Sequence, residues 1–264
     1  MAKKVIGILI IAALAFAACN DKPEGSEYGC LNAYIVDGMA DYDSIFVSID
    51  SGYAYTDIDS LVYTLINDSL LTVPVSRLRN GNYFIYAKPY LLPQDIDGLE
   101  LVISGGRIVI DSLSYQLQLV NDSSAIHCRV PGNIRILRSK HTNVLLEINL
   151  FESIVYDNVN ETYTLTPSFR LVNFDSVGTI SGNTSPKANI YLFQHGSDDT
   201  LSYTSSENDT LFFKFAGLLP GAYDILCKPI GSDTIYYGDL LNTNVPVVKR
   251  DDYDMGILDL PQAP

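Results

Sequence analysis

From Gly29 onward the chain repeats one theme, a short apolar or alternating run closed by a turn signal, and nowhere shows a long segment of helical period. Runs at 31–36, 45–49, 61–66, 83–87, 99–103, 107–110 and 115–120 are separated by Asp-Gly, Asn-Asp, Asn-Gly and Gly-Gly pairs. With 18 Tyr, 10 Phe and many Val, Ile and Thr, the composition favours pleated, half-buried strands. The pattern predicts an all-β chain of antiparallel sandwiches or barrels.

The clearest local element spans 143–155 and 161–172. In its first arm Val144, Leu146, Ile148 and Leu150 share one face while Glu147 and Asn149 point away. In its second arm Tyr163, Leu165, Phe169 and Leu171 alternate with Thr162, Thr164, Thr166, Ser168 and Arg170, and Asp157-Asn158-Val159-Asn160 supplies the turn. A long amphipathic hairpin is expected. The stretch 178–186, rich in Gly, Asn, Thr and Ser, then marks a passage into a second unit.

The first twenty residues are of another kind. Lys3 and Lys4 precede an uncharged apolar run from Val5 to Phe16, and Ala17-Ala18-Cys19 follows. A run of about a dozen residues is too short to span a bilayer and reads as a secretory signal peptide. Ala17-Ala18-Cys19 resembles a bacterial lipobox, which implies that Cys19 is acylated and that the chain is held to the membrane by lipid, outside the cytoplasm; an ordinary signal peptide that ends near a cysteine and an uncleaved anchor are the alternatives. Residues 20–27 form a polar tether too poor in apolar side chains to pack, and the tether resembles those of Bacteroidetes surface lipoproteins. The expected organisation is a lipoprotein signal peptide at 1–18, a tether at 19–28, a β-sandwich at 29–173 and a prealbumin-like β-sandwich at 174–264.

Removing residues 1–18 takes Lys3 and Lys4 with it, which moves the formal charge from −14 to −16. Such a surface repels nucleic acid, and no basic cluster offsets it. With Cys19 assigned to lipid, Cys30, Cys128 and Cys227 remain. They allow at most one internal bridge and match no zinc spacing, so small buried strand thiols are the favoured reading, with the bridge left open.

Two further resemblances bear on the body of the chain. The tail, with its Leu218-Leu219-Pro220-Gly221-Ala222-Tyr223-Asp224-Ile225 turn, resembles the carboxypeptidase-regulatory-like or prealbumin-like sandwich, a non-catalytic module. Residues 29–49 with 152–172 resemble a bacterial envelope lipoprotein domain of unknown function, family four-three-eight-two, departing from it at Gly38-Met39-Ala40 and Leu150-Phe151. The segment 78–89 also aligns without gaps on 218–229, sharing Leu, Gly, Tyr, Ile, Lys and Pro, so that Tyr83 and Ile85 are expected to face inward as Tyr223 and Ile225 do. Related sandwiches and convergence on one hairpin both account for this match.

Residues that could carry chemistry are sparse. His127, His141 and His195 lie far apart in no ligand or nucleophile pattern. Asp95-Ile96-Asp97-Gly98 opens like a calcium loop but lacks the twelfth-position Glu, and Asp251-Asp252-Tyr253-Asp254 reads as a solvated turn. No catalytic site, metal site or cofactor is expected. Aromatic side chains could stack on sugar rings, although there is no Trp.

Asp followed by Ser or Thr and an apolar residue recurs around Ser44, Ser60, Ser69, Ser112, Ser176, Thr200, Thr210 and Thr234, where composition alone gives about two such triplets. These triplets resemble Bacteroidetes O-glycosylation acceptors. Turn chemistry entering a strand enriches the same triplet. The reading that follows is a lipid-anchored envelope protein, at the outer membrane and exposed on the cell surface, acting as a non-enzymatic binding or scaffold module. Its partners are the membrane through the lipid and a protein or glycan ligand, with nucleic acid excluded. A fimbrillin-like pilus or adhesin component and an extracellular hydrolase are the alternatives.

Overall fold

The computed structural model describes residues 27–37, 43–56, 62–66, 70–78, 80–206, 209–230 and 242–260; Cys19, Ser60, Ser69 and Thr234 lie outside them. Strands dominate, and they build two β-sandwiches. Among the described residues no helix is long and apolar enough to cross a membrane.

Sheet I of the first sandwich runs β13 (Phe169–Asn173), β10 (His141–Ile148), β1 (Gly29–Asp37), β5 (Phe84–Ala87), with β6 (Tyr90–Leu91) following β5 along β1. Its centre is a parallel pair: β1 lies on β10 in register from Cys30 opposite His141 to Asp37 opposite Ile148. Sheet II runs β11 (Ile154–Asp157), β12 (Thr162–Leu165), β8 (Leu113–Leu119), β7 (Gln94–Ile110), β2 (Ser44–Tyr55), β3 (Val62–Ile66). In addition β4 (Leu71–Pro74) pairs with β2, and β9 (Ile126–Ile136) pairs with β7. The long strand β7 gives one edge to β2 and divides the other between β9, along 94–103, and β8, along 106–110.

Alternation places the core. On β2 Ile45, Val47 and Ile49 are buried while Ser44, Phe46 and Ser48 between them are not, the two-residue period of a strand with one face inside. They meet Leu31, Ala33 and Ile35 of β1 and Val144, Leu146 and Ile148 of β10 across the sandwich. Each such side chain contributes roughly 1.5–3 kcal/mol when fully removed from water.

The long hairpin forms from the expected residues but is divided between the sheets. Its stem, β10 with β13, belongs to sheet I, and its tip, β11 with β12, to sheet II. A one-turn helix, α1 (Leu150–Ser153), makes the corner, with the Asn149 side chain accepting from the Glu152 N–H at 3.2 Å. Buried Ser153 fastens it: its hydroxyl donates to the Asn149 carbonyl and accepts from the Ser168 N–H at 2.9 Å, while its carbonyl accepts from the Thr166 N–H. Leu150 and Ile154 both reach the one core, which a straight strand in a single sheet would not achieve.

The second sandwich sets sheet III, β17 (Phe212–Leu218), β14 (Gly178–Ser185), β20 (Asp252–Asp259), against sheet IV, β16 (Thr200–Ser205), β15 (Ala188–Gln194), β18 (Gly221–Pro229), β19 (Asn242–Val247). Its core is separate, built on Ile180, Ile190, Leu192, Phe213, Phe215 and Ile225. The Tyr223 hydroxyl donates to the Leu219 carbonyl at 2.7 Å and closes the Pro-Gly turn.

The aligned segments at 78–89 and 218–229 occupy unlike places. In β18 Tyr223 and Ile225 are buried, 6% and 0% exposed, between β15 and β19; near β5 Tyr83 and Ile85 are 54% and 47% exposed. The inward expectation for Tyr83 and Ile85 is therefore corrected. A register shift between Ala33 and Tyr34 where β5 meets β1 accompanies the change, and Tyr86 and Ala87 are the buried pair instead.

Candidate binding cleft between the two sandwiches

Strand β10 is apolar on one face and carries a single buried apolar residue, Leu145, among His141, Asn143 and Glu147 on the other. Val144 and Leu146 enter the first core, whereas Leu145 points the other way and joins Val36, Val172 and Val177 in a small apolar cluster, with Tyr34 against it. Val177 follows a 3-10 turn, Phe174–Ser176, whose start is capped by the Asn173 side chain accepting from the Asp175 N–H at 2.9 Å. The connection between the sandwiches is thus itself folded against both.

Asn80-Gly81 locks this contact. Both residues have positive φ, 57° and 76°, which Asn and Gly tolerate best. The Asn80 side-chain oxygen accepts from Thr204 Oγ1 at 2.8 Å and from the Lys214 N–H at 3.1 Å, and its amide donates to the Ser205 carbonyl at 3.1 Å. A Cβ on Gly81 would stand 2.8 Å from Lys214 Cδ, so a larger residue there would displace the lysine side chain. Nearby, Arg170 pairs with Glu147 through Nε at 2.9 Å and donates to the Gly217 carbonyl at 3.4 Å.

Beside the lock lies a cleft of about 360 Å³. Its apolar lining includes Val36, Leu145, Val177 and Ala216. Two aromatic side chains, Tyr83 and Phe174, also line it, and Tyr34 braces both, with ring centres 4.9 Å from Tyr83 and 6.4 Å from Phe174. The polar lining comes mostly from the second sandwich, with Thr179, Lys214, Arg250, Asp251 and Asp252. Arg250 pairs with Asp175 at 2.9 Å and Lys214 with Asp252 at 3.0 Å. Hydrogen bonds from Thr179, and then from Lys214 and Ser181, hold the Asp252 carboxyl below its ordinary range against the opposing effect of burial. Asp252 is therefore ionised at neutral pH and unsuited to act as a proton donor.

Of the candidate chemical motifs, only the acidic run reaches this cleft, through Asp251 and Asp252, and its residues from Asp252 onward lie in β20 rather than in a turn. Asp95 and Asp97 lie within β7 rather than in a loop, with Asp95 3.6 Å from Arg135, and Asp254 accepts from the Gly256 N–H at 2.9 Å. The histidines are separate: His127 pairs with Glu100 at 2.8 Å, the His141 ring stands 3.4 Å from the Asn32 amide, and His195 pairs with Asp224 at 2.8 Å. Cys30, Cys128 and Cys227 are free thiols on β1, β9 and β18. Burial raises all three, Cys227 to about 12, so they are held as unreactive thiols. Among the described residues no group of His, Cys, Asp and Glu could hold a metal ion.

Of the triplet hydroxyl residues, Ser112, Thr200 and Thr210 are exposed at turns or strand starts. Ser44 is half-buried at the start of β2, and the Ser176 hydroxyl donates to the Asn173 carbonyl at 2.7 Å. All five stand where a turn enters a strand or its flank, which is the placement turn chemistry favours.

No family model matches the chain, and no curated protein matches it. Among solved structures it is similar to the Bacillus anthracis TIE protein, at 9% identity and a TM-score of 0.20 over 89% of this chain and 33% of that one. It is also similar to the minor pilin of Streptococcus agalactiae, at 11% identity and 0.22 over 88% and 98% of the two chains, and to a fimbrial protein from Bacteroides ovatus, at 10% identity and 0.21 over 89% and 50%. The chain spans about a third of the length of the first of these proteins and half of the third.

Proposed function

We propose that this chain is a lipid-anchored, surface-exposed envelope protein whose paired sandwiches act as a non-enzymatic binding module, with the cleft between them as its site. The observation that carries the reading is the course of β1. The strand begins at Gly29, just after the tether, and reaches the cleft at Val36, about 23 Å further on at the usual strand rise. An anchor at Cys19 thus enters the first sandwich at one end, and the cleft opens at the other. Several acyl chains on one cysteine, at about 0.8 kcal/mol per buried methylene, hold such a protein without a transmembrane helix.

One carboxylate of the cleft, Asp252, does not fit the acid role of a hydrolase. Glycoside hydrolysis needs one carboxyl kept protonated, and Asp252 is pushed the other way. The pilus-component version draws on β19 and β20, which end their sheets among the described residues and where an added strand could pair. Heat-stable ladders of the surface protein on gels would favour that version, and a strictly monomeric protein counts against it.

Radiolabelled palmitate tests the anchor. Label is expected in the wild-type chain and absent in Cys19→Ala, which should leave the membrane fraction; label persisting in the variant overturns the reading.

A further inference from the structure

We infer that the cleft takes a neutral saccharide, about one or two sugar rings of a hydroxyl-rich, uncharged glycan. The inference rests on the reading of the cleft as a binding site and names its ligand class. The volume, about 360 Å³, lies at the small end of the usual ligand-pocket range of about 300–1,000 Å³.

The lining combines the two kinds of group that a pyranose needs. A sugar ring presents C–H groups on its faces and hydroxyls around its rim. Aromatic rings such as those of Tyr83 and Phe174 attract C–H groups, and Tyr34 holds the Tyr83 ring by an edge-to-face contact at 74°. In the same cleft, carboxylates can accept from sugar hydroxyls, while the Lys214 ammonium and Arg250 guanidinium can donate to them. Charge-assisted hydrogen bonds of this kind are stronger than neutral ones.

Charge selects against ionic ligands. Lys214 is already neutralised by Asp252, and Arg250 by Asp175. An anionic sugar would have to break one of these pairs and approach a chain of net charge −14. A cation would meet Asp251 but would also have to sit beside Lys214 and Arg250. A neutral polyol uses the leftover donors and acceptors and leaves both ion pairs intact.

The test titrates the mature chain, in detergent, with lactose, maltose, cellobiose and mannobiose, each with its parent polysaccharide where one exists, and with hexalysine and galacturonate dimer as charged comparators. Binding of at least one neutral disaccharide with Kd of 5 mM or tighter is expected, with perturbed Tyr83 and Phe174 ring signals. Tyr83→Ala should weaken it at least fivefold, while Tyr115→Ala, an exposed tyrosine on β8, should leave it unchanged. Binding of polymer but no free disaccharide would assign the site to the interior of a glycan rather than to a free sugar, and either result supports the inference. It is overturned if neither a disaccharide at 20 mM nor any of the polysaccharides binds, if a charged comparator binds more tightly, or if Tyr83→Ala binds like wild type. Palmitate labelling of Cys19 is scored on the same preparation, so that loss of the anchor reading and loss of the saccharide reading are separate outcomes.

Discussion

The side-chain oxygen of Asn80 accepts a hydrogen bond from the hydroxyl of Thr204 at 2.8 Å, although the two residues belong to different sandwiches. The same oxygen takes the Lys214 N–H, and the amide nitrogen reaches the Ser205 carbonyl. One turn residue therefore fastens β16 and β17 to the first sandwich.

Asn80→Ala should cost about 2–4 kcal/mol, combining the loss of partners for the buried Thr204 hydroxyl and the Lys214 N–H with the burden of placing Ala at φ 57°. Asn80→Asp keeps the acceptor and the tolerated backbone but loses the donor to Ser205, and should cost roughly half as much. Urea denaturation followed at several probes checks both. The Ala variant is expected to unfold in two transitions; a single transition with unchanged midpoint would show the lock to be idle.

Leu145 and Leu146 are adjacent, both buried, and divided between two environments. Leu146→Ala opens a hole in the first core and should destabilise it by about 2–5 kcal/mol. Leu145→Ala should instead loosen the contact between the sandwiches. Hydrogen exchange distinguishes them: faster exchange throughout β1, β2 and β7 for the first, and faster exchange confined to 172–180 and 214–218 for the second.

Acid should weaken the second sandwich through Asp224. Burial alone would raise this carboxyl, but N–H groups of Asn244 and Gly196 and the His195 ring outweigh it and hold it below its ordinary 3.8. A carboxyl lowered in the folded state stabilises that state above the ordinary value and loses the contribution as pH falls through the folded value. Glu100, lowered by hydrogen bonds from His127 and Arg129, acts with the same sign in the first sandwich. Melting temperature should therefore decline as pH falls below about 4, and the decline should be shallower in Asp224→Asn. An equal slope in variant and wild type would remove Asp224 as a cause.

Should the Asp-Ser/Thr triplets carry sugar, accessibility orders them. Glycopeptide mass spectrometry is expected to find modification at Ser112, Thr200 or Thr210 before Ser176, whose hydroxyl is engaged by Asn173. Modification at Ser176 alone would contradict that order.

Local chemistry reads out well from this sequence and distant chemistry does not. The inward set on β2, the apolar face at 144–150 and the Asp157 turn, where Asp157 Oδ1 accepts from the Val159 N–H at 2.8 Å, follow from period and turn residues alone. The corner at Leu150–Ser153 is set by where the second sheet lies, which no pattern of two reveals. Asn80-Gly81 reads as an ordinary turn because its partners stand 124 to 134 residues away. The outward direction of Tyr83 is hidden for the same reason: its side chain lines the cleft, and half of the cleft belongs to another unit. Leu145, apolar between two inward neighbours, was the available hint that a second surface covers this strand.

The parallel seating of β1 on β10 has a consequence for timing. Asn32 is hydrogen-bonded to Asn143 at 2.7 Å across 111 residues of sequence. Strand pairings this distant pay loop-closure entropy before any contact rewards them and place a chain among the slower folders. Strand β1 is therefore made long before its central partner and is among the last able to settle, so it must be kept from clumping until the long hairpin has followed it.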